Sequence, residues 1–226
     1  MVIHTRDFER ISKTLLASVP LLSSDEQRVG RALYDALAVG EPVRRERLAE
    51  SAGVPTRRVV ELLEGEGLRW LTYYDEHRSV IGFGGLAVVP MHHRLVVGDR
   101  TLYAWCAWDT LFIPELLRAQ ASVASDCPET GETIQLTVAA DGIKSTSHPD
   151  ARVSFLPLDA RAFRGDVEQT MTNFCHFVFF LVSSEAGESW TSKHEGTCLL
   201  TLDQAFELGK RKNAAQFPDV LHTGSR

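Results

Sequence analysis

The sequence predicts an α+β fold: a winged-helix-like helical N-terminal domain over residues 1–80, a mixed or antiparallel β-sheet domain flanked by helices over 81–217, and a flexible tail over 218–226. Three observations carry this expectation. Apolar residues recur at helical spacing through the first third of the chain. From about residue 92 short apolar strands separated by turn residues take over. Helices long enough to serve as crossovers between parallel strands are few.

The elements follow in order. Residues 6 to 22 read as an amphipathic helix with Phe8, Ile11, Leu15, Val19 and Leu22 on one side, bent or ended by Pro20. A second helix follows Ser24, read as an N-cap with Gln27 completing a capping box. Val29, Leu33, Leu37 and Val39 are its apolar positions, and Gly40 closes it. Pro42-Val43 opens a short helix through Leu48 and Ala52, and Gly53-Val54-Pro55 turns the chain. Thr56 then caps a helix carrying Val59, Val60, Leu62 and Leu63, stopped by Gly65 and Gly67. Helix, glycine-containing turn, helix is the helix-turn-helix pattern. LRWLTYYDEHRSVIGFGGLAVV reads as a hairpin bending at Asp75 to Arg78, which completes the winged-helix likeness.

Further on, HRLVVGDRTLYAW reads as a strand, a Gly98-Asp99 turn and a segment entering a helix. ASVASDCPETGETIQLTVAADGIKST gives two strands joined by a Pro-Glu-Thr-Gly turn, and ARVSFLPL another strand. DVEQTMTNFCHFVFFLVSS begins helical and ends as a strongly apolar strand, and CLLTLDQAFELGKRK is a strand followed by a helix.

Composition narrows the function. With 226 residues, 44% of them hydrophobic, the chain builds a core without covalent staples. A net charge of −6 and a pI of about 5.8 do not favour nucleic acid or anionic membrane as partners. No apolar run approaches the roughly 20 residues of a membrane span. The first residues carry Asp7 and Glu9 and no uninterrupted apolar stretch, so no signal peptide and a cytoplasmic location are expected. Locally the balance differs: between Pro42 and Arg58 stand Arg44, Arg45, Arg47, Arg57 and Arg58 against Glu46 and Glu50. That patch raises an alternative function, a winged-helix transcriptional regulator sensing soft metals or electrophiles through its thiols. Glu61, Glu64 and Glu66 follow directly and favour plain solvation of two short helices.

The four cysteines, Cys106, Cys127, Cys175 and Cys198, form no CxxC pair, which argues against a zinc knuckle. Cys106 and Asp109 are three apart, a spacing that on a helix puts both on one face, among Trp105, Trp108, Leu111 and Phe112. Dry surroundings disfavour the ionised carboxylate, so Asp109 can hold a proton near neutrality and exchange it with a neighbouring thiol. The plainer reading makes Asp109 a surface or capping residue. Cys175, in TNFCHFVFF, stands where helix gives way to strand, and is either functional or core packing beside Phe174 and Phe177. His92-His93 is expected to make a poor metal chelate, because adjacent strand residues point to opposite faces.

LYAWCAWDTL with FIPELL, then SDCPETG, NFCHFVFF, ESWTSKHEG and AFELG, in that order, resemble the alkylmercury lyase (organomercurial lyase) family. The likeness covers roughly residues 80 to 210, and the helical N-terminal region fits the family's winged-helix-like first domain. It implies protonolysis of carbon–mercury bonds to a hydrocarbon and Hg(II), carried by Cys106, Cys175 and Asp109, which would also hold the mercury transiently. It implies no organic cofactor, small external thiols for turnover, and mercuric reductase as a downstream partner. Cys127 matches a family cysteine that packs structurally, whereas Cys198 matches none. Two features depart from the family: His176 follows Cys175 where a second cysteine is often found, and Trp108 is bulkier than the aliphatic residue expected there, which narrows the pocket. His194, in SKHEG, is expected either to border the site or to be solvated.

Overall fold

The computed structural model describes residues 5–157 and 165–221. The N-terminal part is α1 (Thr5–Ser18), α2 (Ser24–Leu37), α3 (Arg45–Ala52) and α4 (Thr56–Glu64). The first helix stops at Ser18, two residues before Pro20, although Val19 and Leu22 of the expected helix are still buried. The cap of α2 is Ser23, one residue earlier than expected. Glu26 accepts from both the Ser23 amide (2.8 Å) and its hydroxyl (2.7 Å). Gln27 is buried instead and donates to the Leu22 carbonyl at 3.0 Å. Val29, Leu33 and Leu37 face the core as expected, but Val39 lies past the helix end and is exposed. The expected helix start at Pro42-Val43 also shifts: Val43 forms an isolated antiparallel bridge with Val80, and α3 begins at Arg45.

After α4 come β1 (Thr72–Tyr74), β2 (Val80–Phe83), β3 (Leu86–Ala87), β4 (His93–Val97), β5 (Arg100–Ala104) and α5 (Asp109–Leu117). These are followed by β6 (Ala121–Asp126), β7 (Thr133–Ala139), β8 (Gly142–Thr146) and β9 (Arg152–Phe155). The described chain ends with α6 (Val167–Asn173), β10 (Phe180–Leu181), α7 (Ser184–Lys193), β11 (Cys198–Thr201), α8 (Leu202–Gln216) and α9 (Pro218–Leu221). The strands form an eight-stranded sheet in the order β1-β2-β3-β5-β4-β6-β7-β8 and a three-stranded sheet in the order β10-β9-β11. Every paired strand among the described residues is antiparallel, which settles the choice left between mixed and antiparallel.

The expected β1–β2 hairpin forms as one edge of the large sheet, with β2 starting at Val80. After the Gly98 turn the chain does not enter a helix; it returns as β5 in register with β4, Leu95 opposite Leu102. The expected apolar strand after Cys175 shrinks to β10. The segment before it is a 3₁₀ turn, Cys175–Phe177, in which Cys175 is buried and Phe177 half-buried, with buried Phe174 just ahead of it. The helix α7 and the strand β8 go beyond the elements read from the sequence. Of the expected tail, Pro218–Leu221 is helical and tied to α2, with the Asp219 amide donating to Gln27 at 2.9 Å and Ser24 donating to the Asp219 carboxylate at 2.7 Å. The rest of the tail lies outside the described residues.

One continuous core runs from Phe8 through α2, both sheets and α8. Its apolar burial is the main stabilising term. It also leaves α5, α6 and α8 meeting at a shared wall, with Trp108 Nε1 donating to the Ala205 carbonyl at 2.9 Å.

Candidate functional site

Cys106 is not on a helix. It lies in the turn between β5 and α5, and Asp109 is the first residue of α5. The i,i+3 spacing still brings them together. The Asp109 carboxylate turns back and accepts from the Cys106 amide at 2.9 Å, closing the turn that leads into the helix. The turn is pinned from outside by the Ala107 amide, which donates to the Val178 carbonyl at 3.1 Å. Val178 is the residue directly after the 3₁₀ turn that carries Cys175, and its own amide donates to the Cys175 carbonyl at 3.1 Å. Two short backbone bonds thus carry the distant cysteine to the Cys106 turn. One ligand atom each from Cys106, Asp109 and Cys175 lies within 4.8 Å of the others, and all three residues are buried.

The floor of the site comes from two glycines. Gly85 has φ +96°, and a Cβ there would stand 2.5 Å from the Asp109 carboxyl carbon. Only glycine permits that backbone and that approach. Its neighbour Gly84, at φ +53°, is held by Tyr34 of α2, whose hydroxyl donates to the Gly84 carbonyl at 2.8 Å. Asp109 and Cys175 line a cavity of about 40 Å³ walled by Trp70, Leu71, Trp105, Trp108, Phe112 and Phe174, with Leu15 and Val19 from the N-terminal helical region, while Cys106 lies fully buried behind that lining. Lys212 of α8 lines it as well.

Burial sets the electrostatics. It raises the Asp109 carboxyl to about 6, against the pull of the Cys106 hydrogen bond and of Lys212. The Cys106 thiol is pushed well above its ordinary value by burial, by its hydrogen bond with Cys175 and by the Asp109 charge. Cys175 feels a lowering hydrogen bond from Cys106, outweighed by burial and the same carboxylate. The resting state is therefore two thiols beside one acid that titrates near neutrality. The site can take a soft, thiophilic metal and move one proton between sulfur and carboxylate.

The remaining sequence candidates separate from this cluster. Cys127 is buried in the β6–β7 turn, its amide donating to the Glu132 carbonyl at 2.8 Å. Cys198 is half-buried on β11, gives its hydrogen to the Phe155 carbonyl and is pushed up to about 12 by burial. His176 is exposed, and His194 stacks on Trp190 at 3.7 Å, outside the cavity lining. His92 is exposed and His93 buried. Their rings nevertheless touch edge-on at 4.8 Å, closer than the opposite-face argument allows, because His92 precedes the strand. Each has its own partner, the Asp126 carbonyl and the Ser125 hydroxyl, and burial lowers His93 to about 3. Sequence reading passed over Gly84-Gly85, Tyr34, Trp70 and Lys212. The doubled glycine in GFGG was the one local sign of a close approach.

The alkylmercury lyase family profile matches residues 86–212, more than half of the chain. A curated alkylmercury lyase from Bacillus cereus is 37% identical over 180 residues, covering 80% of this chain and 78% of that protein. The chain belongs to the alkylmercury lyase family. Alkylmercury lyases from Staphylococcus epidermidis (36% over 184 residues, 81% of each chain) and Pseudomonas putida (37% over 178 residues, 78% of this chain and 79% of that one) agree. A crystal structure described as the mercury-bound form of MerB2 superposes with a TM-score of 0.73 over 92% of this chain and 98% of that one, at 24% identity, and so shares the fold. The family's match region holds Cys106, Asp109, Cys175 and Lys212, whereas Tyr34, Leu15 and Val19 reach the site from outside it. Among the described residues no helix is long and apolar enough to cross a membrane.

Proposed function

We propose that this protein cleaves carbon–mercury bonds by protonolysis, releasing a hydrocarbon and Hg(II), with Cys106 and Cys175 as mercury ligands and Asp109 as proton carrier. The observation that supports this reading best is the meeting of two buried sulfurs and one buried carboxylate within 4.8 Å, beside a mostly apolar cavity, from segments 66 residues apart (175 − 109).

Substrate enters as R–Hg–SR′, the form an organomercurial takes in excess small thiol. Cys106 exchanges for R′S⁻, and R′SH leaves with the Cys106 proton. Cys175 passes its proton to the Asp109 carboxylate, and the resulting thiolate adds to mercury. The metal is then bound by two soft, electron-rich sulfurs, which weakens its bond to carbon. Asp109 delivers the proton to that carbon, R–H leaves, and Hg(II) remains on the two sulfurs until external thiols remove it. Apolar walls suit the organic group and keep water from the proton in transit. No organic cofactor takes part in these steps. Mercuric reductase, as the acceptor of the released metal, extends the same reading.

The test is to incubate the purified protein with methylmercury or phenylmercury salt and excess small thiol, and to follow hydrocarbon by headspace gas chromatography. Release well above the thiol-only blank is the expected outcome. Release equal to the blank ends the reading.

A further inference from the structure

Lys212 is the sole cationic side chain among the described residues lining the cavity. It is 5% exposed, and lysine is almost never that buried without a partner. Its ammonium lies 3.9 Å from the centre of the Phe112 ring and 3.5 Å from Asn213 Oδ1. Neither contact neutralises it. The charges acting on it are, in falling order, Asp109, Glu115 and Cys106. Glu115 already accepts from Asn213 Nδ2 at 2.8 Å. Burial lowers the ammonium to about 8, so it keeps its proton at neutrality.

The proposed reaction gives this cation a use. At rest the two thiols are neutral and Asp109 carries one negative charge. Once Asp109 has taken the Cys175 proton, the charge resides on the organomercury dithiolate, R–Hg(S)₂⁻. Once that proton reaches carbon, the Hg(S)₂ product is neutral and Asp109 is charged again. One negative charge is present throughout, moving between a buried carboxylate and buried sulfurs behind largely apolar walls, where solvation by water is poor.

We propose that Lys212 is a positioning residue for this reaction, its buried ammonium serving as the fixed counter-charge that keeps the cavity neutral while the negative charge moves between Asp109 and the two sulfurs. The inference rests on the protonolysis reading. The rival role is structural, the aliphatic stem of Lys212 filling space against Phe112.

The experiment compares full-length wild type, Lys212→Met and Lys212→Ala with methylmercury and excess thiol, alongside their melting temperatures. Methionine keeps the stem and removes the charge. Both variants are expected to lose roughly 10²-fold in kcat, the size seen when one preorganised electrostatic group is removed, with KM little changed. Adding ethylammonium to Lys212→Ala is expected to restore at least a tenfold share. A Lys212→Met enzyme with kcat within twofold of wild type overturns the proposal. So does a kcat loss that follows a lowered melting temperature and that ethylammonium does not repair.

A second measurement needs no turnover. X-ray absorption at the mercury edge counts sulfur ligands in methylmercury-loaded Asp109→Asn and Asp109→Asn/Lys212→Met. Without the carboxylate, Lys212 alone balances the dithiolate, so two sulfurs are expected in the first and one in the second. Two in both overturns the counter-charge role. If wild type releases no hydrocarbon yet the sulfur count follows Lys212, only the functional reading falls.

Discussion

Two clusters of charge in this molecule use similar side chains to opposite ends. On α3 and α4, Arg57 is 92% exposed and pairs with Glu61 at 3.0 Å, and Arg58 pairs with Glu61 at 3.4 Å and with Asp25 at 3.5 Å. Arg45 approaches Glu64 at 4.0 Å and Arg47 approaches Glu41 at 3.9 Å. Water screens all of these, and such pairs contribute little. At and behind the cavity wall, Asp109, Lys212 and the two thiols are buried, and each charge alters the protonation of the others. Solvent access, not residue type, is what separates the two clusters. The arginine pairing also leaves the surface patch largely matched by acids, which weakens the regulator alternative.

Several measurements would break or sharpen this contrast. The largest effect belongs to the sulfurs: Cys106→Ser or Cys175→Ser each lowers hydrocarbon release by at least roughly 10³-fold, because a hydroxyl is a hard, weak mercury ligand. A single variant that keeps wild-type turnover would remove that sulfur from the reaction.

Next is Gly85→Ala. A methyl group at φ +96° and 2.5 Å from the Asp109 carboxyl carbon forces the backbone or the acid to move. Destabilisation of about 3 kcal/mol is expected, with loss of turnover in whatever remains folded. Denaturant unfolding that matches wild type would show the approach to be looser than described.

The third effect is on pH. Asp109 accepts the thiol proton only when ionised, and burial places its titration at about 6. So kcat/KM should rise about tenfold per unit below that pH, level off above it, and fall again past about 8 as the Lys212 counter-charge loses its proton. A flat profile between pH 5 and 7 would show that another group takes the proton.

Cys127→Ser comes next. It puts a hydroxyl into a buried turn and costs about 1–3 kcal/mol, while turnover per folded molecule is unchanged. Loss of chemistry without loss of stability would bring Cys127 into the mechanism. The smallest change is Arg57→Ala on the exposed helix, expected to move the melting temperature by less than about 2 °C and to leave turnover alone. A large shift would mean that surface charges are worth more here than their exposure suggests.

Local pattern determined a good deal of this protein. Helical periodicity placed Phe8, Ile11, Leu15, Val29, Leu33 and Leu37 on the core, turn chemistry placed the bends near Asp75 and Gly98, and family likeness selected Cys106, Asp109 and Cys175 from four cysteines and many acids. Spacing also made the Cys106–Asp109 contact legible, though through a turn closed by a side-chain-to-backbone hydrogen bond rather than a helix face. Tertiary structure alone decided the rest. No residue near Cys175 announces that Val178 will hydrogen-bond to Ala107 and deliver it to Cys106. No periodicity says that Lys212, in a charged run of α8, turns inward beside Asp109, or that Tyr34 of α2 holds the glycine floor. Secondary structure follows from neighbours a few residues apart, which the sequence displays. Burial and charge coupling depend on which distant segments pack together, and these fix the protonation on which the site depends.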